Sequence, residues 1–339
     1  MAPPERRGAR ALQLVVGLAV TAALVWWAFH KFTFAGIWST IRTVRVVPMV
    51  LAVAVATLPF LLRVPRWRLL LRCDDGTALP IRPLWHAIAI GFAANNVLPF
   101  RAGELLRVGA VSRLARVPFA AALSSVAVER VIDALTVAAL LGIGLVGGQL
   151  PASVTLGGTT PIAVVAQRTG ILCLAALLAA IAAAWRRDLA LRLFERGIPS
   201  GRIGGVLVQV AERLLSGLGA LRDPRRALPV LAWSLVIWLA NAAAFYVAFK
   251  AFNFAVPFTG ALVLQGALMI GIAVPSTPGY AFVFEGAIVA ALALFGVPTG
   301  PAFAFAVTYH ITTFIPITTL GAISAIRTGT QLRAPPAEP

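Results

Sequence analysis

Residues 84–107 read LWHAIAIGFAANNVLPFRAGELLR, and this stretch decides how the chain folds. Residues 84–100 are almost entirely apolar, but two asparagines and Pro99 interrupt them. Arginines lie on both sides of this run, and basic flanks favour the cytoplasmic side of a membrane. An apolar segment with both ends on the same side does not cross the bilayer. The sequence therefore predicts a re-entrant helical hairpin with its bend at residues 99–103.

The composition of the whole chain places this hairpin in a membrane protein. Of the 339 residues, 60% are hydrophobic, and the mean hydropathy is +0.90. Soluble domains average only about 45–50% apolar residues. Apolar runs of about 18 residues or more recur along the chain, and each is long enough to cross the hydrocarbon layer. Helices satisfy their own backbone hydrogen bonds in lipid, so the predicted fold class is an all-α polytopic membrane protein.

The formal charge of +17 comes mainly from arginines that lie between the apolar runs. In a soluble protein this charge would suggest nucleic-acid binding, but the sequence shows no soluble domain to do it. The arginines instead set the topology and contact anionic lipid headgroups. The densest basic group follows the second apolar run and predicts a cytoplasmic loop containing Arg63, Arg66, Arg68, Arg72 and Arg82.

These rules predict a single transmembrane domain over residues 1–339, in a bacterial cytoplasmic membrane, with both termini in the cytoplasm. About six full spans are expected, at 12–29, 46–62, 118–147, 162–184, 229–249 and 302–326. The span at 162–184 connects a first half, 12–147, to a second half, 229–327. Residues 186–226 interleave arginines with apolar residues, which predicts a cytoplasmic amphipathic segment on the membrane surface.

A second break lies in the second half of the chain. Residues 275–279 read PSTPG, and two prolines with a glycine end a helix. If residues 258–296 form a hairpin that enters from outside, the last span ends on the cytoplasmic side. Arg327 and Arg333 follow that span and require this side. The sequence therefore predicts a second re-entrant hairpin, opposite in orientation to the first.

The two breaks share a spacing. A proline precedes a glycine by four residues in both, and the predicted break residues are Pro99, Gly103, Pro275, Pro278 and Gly279. Together with the opposite orientations, this predicts an inverted-topology repeat. In transporters of that design, paired broken helices mark the substrate site.

Charged residues within an apolar helix are functional candidates because they are costly to place in hydrocarbon. Glu129 and Asp133 are four residues apart and share a helix face, and Arg130 is within reach of Asp133. Two interpretations stay open, a self-neutralising structural cluster and the lining of a polar cavity. In the second, the two acids would balance charge or carry protons.

The first bend also carries polar residues, namely Asn95, Asn96, Arg101, Glu104 and Arg107. A helix break frees backbone groups, and the start of the next helix favours an anion. Arg101 is therefore a candidate for holding a phosphate group. The plain alternative is an interfacial arginine that snorkels to the lipid headgroups.

In the second half, Glu285 is the only acid between Asp223 and Glu338. It must be protonated or have a partner, and the candidate partners are Arg101, Arg130 and His310. His310 is either a hydrogen-bonded packing residue or part of a proton relay. The sequence contains no Walker A loop and no His/Cys set with metal-ligand spacing, so neither a metal nor a cofactor is expected.

The same residues resemble a known family. Residues 96–107, the Glu129-Arg130-x-x-Asp133 motif and the second break with Glu285 beyond it are similar in order and spacing to the lysylphosphatidylglycerol synthase transmembrane region, the flippase-like integral membrane family. The likeness covers about residues 12–327. Members commonly carry an arginine near the position of Tyr309 and His310, and this chain has none there.

The resemblance implies a role in moving lipids. In full-length synthases, this region is thought to translocate the aminoacylated phospholipid that a separate soluble domain makes. We expect no aminoacyl transfer by this chain, because that domain is not in the sequence. The expected headgroup-binding residues are Asn95, Asn96, Arg101, Glu104, Arg107, Arg130 and Thr277, with Glu129, Asp133, Glu285 and His310 for charge balance or proton coupling.

Two alternatives stay open. One is a membrane glycosyltransferase acting on lipid-linked sugars, since one archaeal branch of the family is linked to glycosyl transfer. The run Asp74-Asp75-Gly76 is not the Asp-x-Asp motif that holds a metal and a sugar nucleotide, which argues against it. The other is an accessory subunit without transport of its own. The expected partners are membrane lipids, with a homodimer or a separate lipid-modifying enzyme as further possibilities.

Overall fold

The protein's structure, a computed structural model, describes residues 34–71, 77–98, 101–147, 155–156, 160–161, 164–165, 167–172, 175, 224–273 and 278–333. The predicted span at 12–29, most of that at 162–184 and the segment 186–226 lie outside the described residues. So do Pro99, Pro275 and Thr277.

The described part of the chain is almost entirely helical. A short antiparallel pair, β1 (Thr155–Leu156) and β2 (Thr160–Pro161), lies between the predicted spans at 118–147 and 162–184. The helices are α1 (Phe34–Arg42), α2 (Val46–Leu70), α3 (Ile81–Val97), α4 (Ala102–Ala115), α5 (Phe119–Gly147), α6 (Pro224–Ala251), α7 (Phe258–Ala273), α8 (Val283–Ala293) and α9 (Thr299–Arg333).

Helix length and apolarity confirm the predicted fold class. Among the described residues, four helices are long and apolar enough to cross a membrane, within α2, α5, α6 and α9. They match four of the six predicted spans, and the other two fall mostly or wholly on residues outside the description. α3, α4, α7 and α8 are shorter, as expected of hairpin arms.

The first predicted hairpin is formed by α3 and α4, which pack against each other. Two glycines allow this close approach, because a Cβ atom on Gly103 would collide with the carbonyl oxygen of Gly91. Between the arms, Arg101 takes a left-handed conformation with φ of 52° and precedes the first residue of α4. The bend thus lies at the predicted place.

The second predicted hairpin is formed by α7 and α8. Its tip contains a 3₁₀ turn, Pro278–Tyr280, and three residues with positive φ, Gly279, Tyr280 and Phe282. The carboxylate of Glu285 caps α8 by accepting a hydrogen bond from the Phe282 backbone N–H at 2.6 Å. Glu285 is the third residue of α8, so this contact is the glutamate half of a capping box at the start of the helix.

The two halves run in opposite directions. α2 precedes the first hairpin and α6 precedes the second. These two helices are antiparallel, because the Arg45 N–H at the start of α2 donates to the carbonyl of Ala251 at the end of α6, at 2.9 Å. At the other end, Arg66 donates to Ser234 at 3.1 Å. Each hairpin packs on the last helix of the opposite half, α3 on α9 and α7 on α5. These relations are the ones that an inverted-topology repeat predicts, and the repeat itself stays a prediction.

The second half has an aromatic core between α6 and α9. The ring of Phe305 lies 5.5 Å from Phe249, 5.2 Å from Phe252 and 5.7 Å from Tyr309, measured between ring centroids. Tyr309 also stacks on Phe245 at 4.7 Å. Ring pairs at these separations are stabilising beyond the area they bury.

One boundary prediction is wrong. α2 does not end near residue 62 but continues to Leu70, so Arg63, Arg66 and Arg68 are helical and do not belong to a loop. Arg63 and Arg66 are buried. Reading the span as ending at its first charged residue fails here because carboxylates elsewhere in the fold compensate both guanidinium groups.

The contact between α3 and α9 gives a test of the architecture. A Cβ atom on Gly321 would collide with Ala93 and the Ala89 carbonyl, whereas one on Gly329 of the same helix meets nothing within 4 Å. Gly321→Ala should therefore lower the stability by about 1–3 kcal/mol through overpacking. Gly329→Ala should raise the stability by up to about 1 kcal/mol through helix propensity. Thermal unfolding in detergent measures both, and equal shifts would contradict this packing.

Candidate functional site

A group of charged side chains lies in the interior where α2, α4 and α5 meet. We call it the ion cluster. It comprises Arg63 and Arg66 from α2, Glu104 and Arg107 from α4, and Glu129, Arg130 and Asp133 from α5.

Glu129 is the centre of the ion cluster and is fully buried. Arg107 binds it with both terminal nitrogens, at 2.9 and 2.8 Å, in the bidentate geometry that suits a carboxylate. Arg66 approaches the same carboxylate at 3.0 Å and Arg130 at 2.5 Å. Each of these cations comes from a different helix, so Glu129 ties α2 and α4 to α5.

Asp133 lies one turn further along α5 and brings in α6. It accepts hydrogen bonds from Arg66 at 2.5 Å and from the indole N–H of Trp238 at 2.9 Å. Arg63 and Arg130 complete its surroundings at 3.4 and 3.3 Å. The predicted shared face of Glu129 and Asp133 is therefore confirmed, with both side chains turned to the same arginines.

Aromatic rings cover the guanidinium groups. The Arg107 guanidinium carbon lies 3.8 Å from the centre of the Trp67 ring, and that of Arg63 lies 5.0 Å from the Phe92 ring and 5.7 Å from the Trp238 ring. The Trp67 indole is itself held by a 2.9 Å hydrogen bond to Ser125. Cation–π contacts of this kind stabilise a desolvated arginine.

The sequence interpretation missed this contribution of α2. It treated Arg63 and Arg66 as loop residues that set the topology. The usable signal was their spacing, since Arg63, Arg66 and Trp67 are three and four residues apart and share one helix face.

The tips of the two hairpins meet inside the protein. The Arg101 guanidinium donates to the Ile272 carbonyl at the end of α7, at 2.8 Å, and lies near the Tyr280 side chain. The Asn96 carbonyl faces Gly279, and the Asn96 amide donates to Thr318 of α9 at 2.8 Å. The two predicted breaks therefore form one interior region.

Tyr280 connects this region to the ion cluster. Its side chain lies near Arg101 and also within electrostatic range of Glu104 and Arg130. We call these four residues, Arg101, Glu104, Arg130 and Tyr280, the tip site. All four side chains are only partly buried. Tyr280 was not singled out in the sequence, because a tyrosine after a helix break carries no distinctive signal.

Two other residues of the first hairpin that were predicted to bind the headgroup, Asn95 and Arg107, are buried inside the protein. Asn95 is buried with its amide oxygen against Gly103, at the close approach of the hairpin arms. Arg107 is also buried and engages Glu129. Both side chains stabilise the first hairpin from within, whereas Arg101, Glu104 and Arg130 are the accessible ones.

Of the three partners predicted for Glu285, the structure selects His310. The Glu285 carboxylate lies 2.6 Å from Nδ1 of His310, which stacks on Phe284 with 4.1 Å between ring centroids. Arg101 and Arg130 are engaged elsewhere. Within the described parts of the chain, no His, Cys, Asp and Glu side chains cluster in a way that could hold a metal ion.

The ion cluster yields a stability prediction. Arg66→Ala or Asp133→Ala alone should each cost about 3–5 kcal/mol, because each leaves a buried charge uncompensated. The double variant should lose less than the sum of the two, since the partners share one interaction. The free energy of unfolding in mixed micelles measures this, with the exposed Arg82→Ala as control. Additive losses would mean that the two residues are not coupled.

Comparison with known proteins gives two findings. Residues 14–321 match the family described as the lysylphosphatidylglycerol synthase TM region. A protein named glycosyltransferase AglD, from Haloferax volcanii, is 31% identical over 174 residues. That similarity covers 46% of this chain and 28% of the AglD protein, so the chain spans less than a third of its relative.

Proposed function

The chain belongs to the lysylphosphatidylglycerol synthase TM region family, and from this premise we propose that it moves an anionic lipid across a membrane. The headgroup would pass between the tips of the two hairpins while the acyl chains stay in the bilayer. The observation that carries the proposal is the meeting of the tips at Arg101, beside the ion cluster.

Two features of the architecture support transport. Paired broken helices from inverted halves are the arrangement in which transporters place their substrate. Ionisable side chains at that position are costly in a membrane and mark polar pathways. In this protein, Arg101 lies at the first helix break and Arg130 lies on α5. Both side chains are only partly buried, so they are the proposed headgroup ligands.

Arg101 is suited to bind and release an anion. Its neighbours at the tips are neutral, the Ile272 carbonyl that accepts its hydrogen bond and the Tyr280 hydroxyl nearby. A phosphate forms stronger, charge-assisted hydrogen bonds with a guanidinium group than either of these. An arriving headgroup would therefore replace them and separate the two tips.

The ion cluster has a different task in this proposal. Glu129 and Asp133 hold α2, α4, α5 and α6 together through Arg66 and Arg107. Their charges are balanced within the cluster, so we assign them to charge balance and Arg107 to structure. Glu285 and His310 are the pair we assign to proton coupling. The basic end of the bundle, which includes Arg82 and Arg116, would face the cytoplasm of a bacterium.

Translocation in proteoliposomes tests the proposal. The wild-type protein should move fluorescent phosphatidylglycerol between leaflets faster than protein-free vesicles do. Arg101→Ala should reduce the rate about tenfold or more, because it removes a charge-assisted hydrogen bond to the headgroup. Arg82→Ala removes an exposed arginine at the start of α3 and should keep the wild-type rate. Equal rates for wild type and Arg101→Ala would sink the transport proposal.

Glycosyl transfer is the second candidate, and the similarity to AglD favours it. The protein would then act on a lipid-linked sugar at the same charged region. Incubation of the purified chain with a lipid-linked sugar donor, followed by product analysis, distinguishes the two. Sugar transfer without lipid movement would favour the enzyme over the transporter.

A further inference from the structure

Glu104 is the least well paired acid of the ion cluster. Among the described residues its ion-pair partner is Arg130, at 3.6 Å, which is beyond hydrogen-bond distance. Its other carboxylate oxygen, Oε2, is buried and has no hydrogen-bond donor within the described structure. Glu129, in contrast, receives hydrogen bonds on both oxygens. Glu104 is therefore the carboxylate that can leave its place at the lowest cost.

Glu104 is close in the fold to both arginines proposed to bind the headgroup. Arg101 is one turn earlier, and the Glu104 backbone N–H donates to the Arg101 carbonyl at 3.0 Å. Arg130 approaches from α5, and Tyr280 of the second hairpin interacts with all three charged side chains. The carboxylate thus lies next to the Arg130 guanidinium and one helical turn from Arg101, in the region where a phosphate would approach both arginines.

The charge of this region favours a further anion. Counting the ion cluster and Arg101, the described residues contribute five guanidinium groups and three carboxylates. An excess of positive charge in a region of low dielectric raises the affinity for a negative ligand. A phosphate group has the charge and the acceptor oxygens to bind two arginines and a tyrosine hydroxyl at once.

We propose that Glu104 is a resident anion, which holds the place of a lipid phosphate between Arg101 and Arg130 and swings away when that phosphate binds. The inference rests on the proposed function and specifies its ligand as the phosphate of a lipid headgroup, with Tyr280 as a third ligand residue. It also reverses the expected role of Glu104, which competes with the headgroup and does not bind it.

Opposite effects of two charge-removing variants test this inference. The full-length protein in detergent is titrated with fluorescent short-chain phosphatidylglycerol. Glu104→Gln should tighten binding about three- to tenfold because the competing carboxylate is gone. Arg130→Gln should weaken it about tenfold, and Tyr280→Phe should weaken it about threefold by removing one donor. Arg82→Gln should leave the affinity unchanged.

Two further probes identify the ligand chemistry. A diacylglycerol of equal chain length lacks the phosphate, and its binding should not respond to Glu104→Gln. Inorganic phosphate should bind more weakly than phosphatidylglycerol, and equal affinity would overturn the assignment to a lipid. Monodisperse elution and an unchanged melting temperature of the Glu104→Gln protein show that it is folded.

The sign of the Glu104→Gln effect separates this inference from the transport proposal. If this variant weakens phosphatidylglycerol binding as Arg130→Gln does, Glu104 is no resident anion but contacts a positive or donor group of the headgroup. The transport proposal would survive that result as long as Arg101→Ala translocates lipid more slowly than the wild type. The opposite pair of results is also informative. If Arg101→Ala translocates lipid as fast as the wild type while Glu104→Gln still binds phosphatidylglycerol more tightly, the transport proposal is overturned and the anion site is kept.

Discussion

The pairing of buried arginines with Glu129 and Asp133 constrains the rest of the structure. An uncompensated charge in a low-dielectric interior costs several kcal/mol, so these side chains must stay within reach of each other. They come from α2, α4 and α5, with Trp238 of α6 as an additional donor. Those four helices therefore cannot shift independently. The position of the first hairpin, and with it that of Arg101, follows from this constraint.

The hairpin tips show a second kind of interdependence. The last carbonyl groups of a helix have no partner within the helix itself. At the end of α7, the Ile272 carbonyl finds its donor in Arg101 of the other half. Close to it, Gly279, Tyr280 and Phe282 hold a turn with positive φ, which costs free energy for the two non-glycine residues. The end of α7 thus relies on the first hairpin for a hydrogen-bond donor.

Much of the fold could be predicted from the sequence because its determinants are local. Arginines on both sides of the run at 84–100 and the PSTPG break define two hairpins without knowledge of any distant contact. The charged face of α5 follows from a spacing of four residues.

The charge partners are a different matter, because they depend on which helices become neighbours. Three partners were conceivable for Glu285, and only the packing of α8 on α9 selects His310. The same limitation hid the role of Arg66, which lies 67 residues from Asp133 in the chain. Tyr280 could not have been found, since its side chain becomes notable only where the tips meet.

The aromatic core between α6 and α9 gives the two halves unlike mechanical properties despite their related topology. Ion pairs and bidentate hydrogen bonds weaken steeply with small changes in distance and angle, so the half that contains them is stiff. Stacked rings such as Phe245 of α6 and Tyr309 of α9 are held by non-directional apolar contact and carry no charge that separation would leave uncompensated. Displacement of the second hairpin and α9 would therefore separate fewer buried charges than displacement of the first hairpin. We expect the second hairpin to be the moving part and the first to be the fixed frame against which it moves.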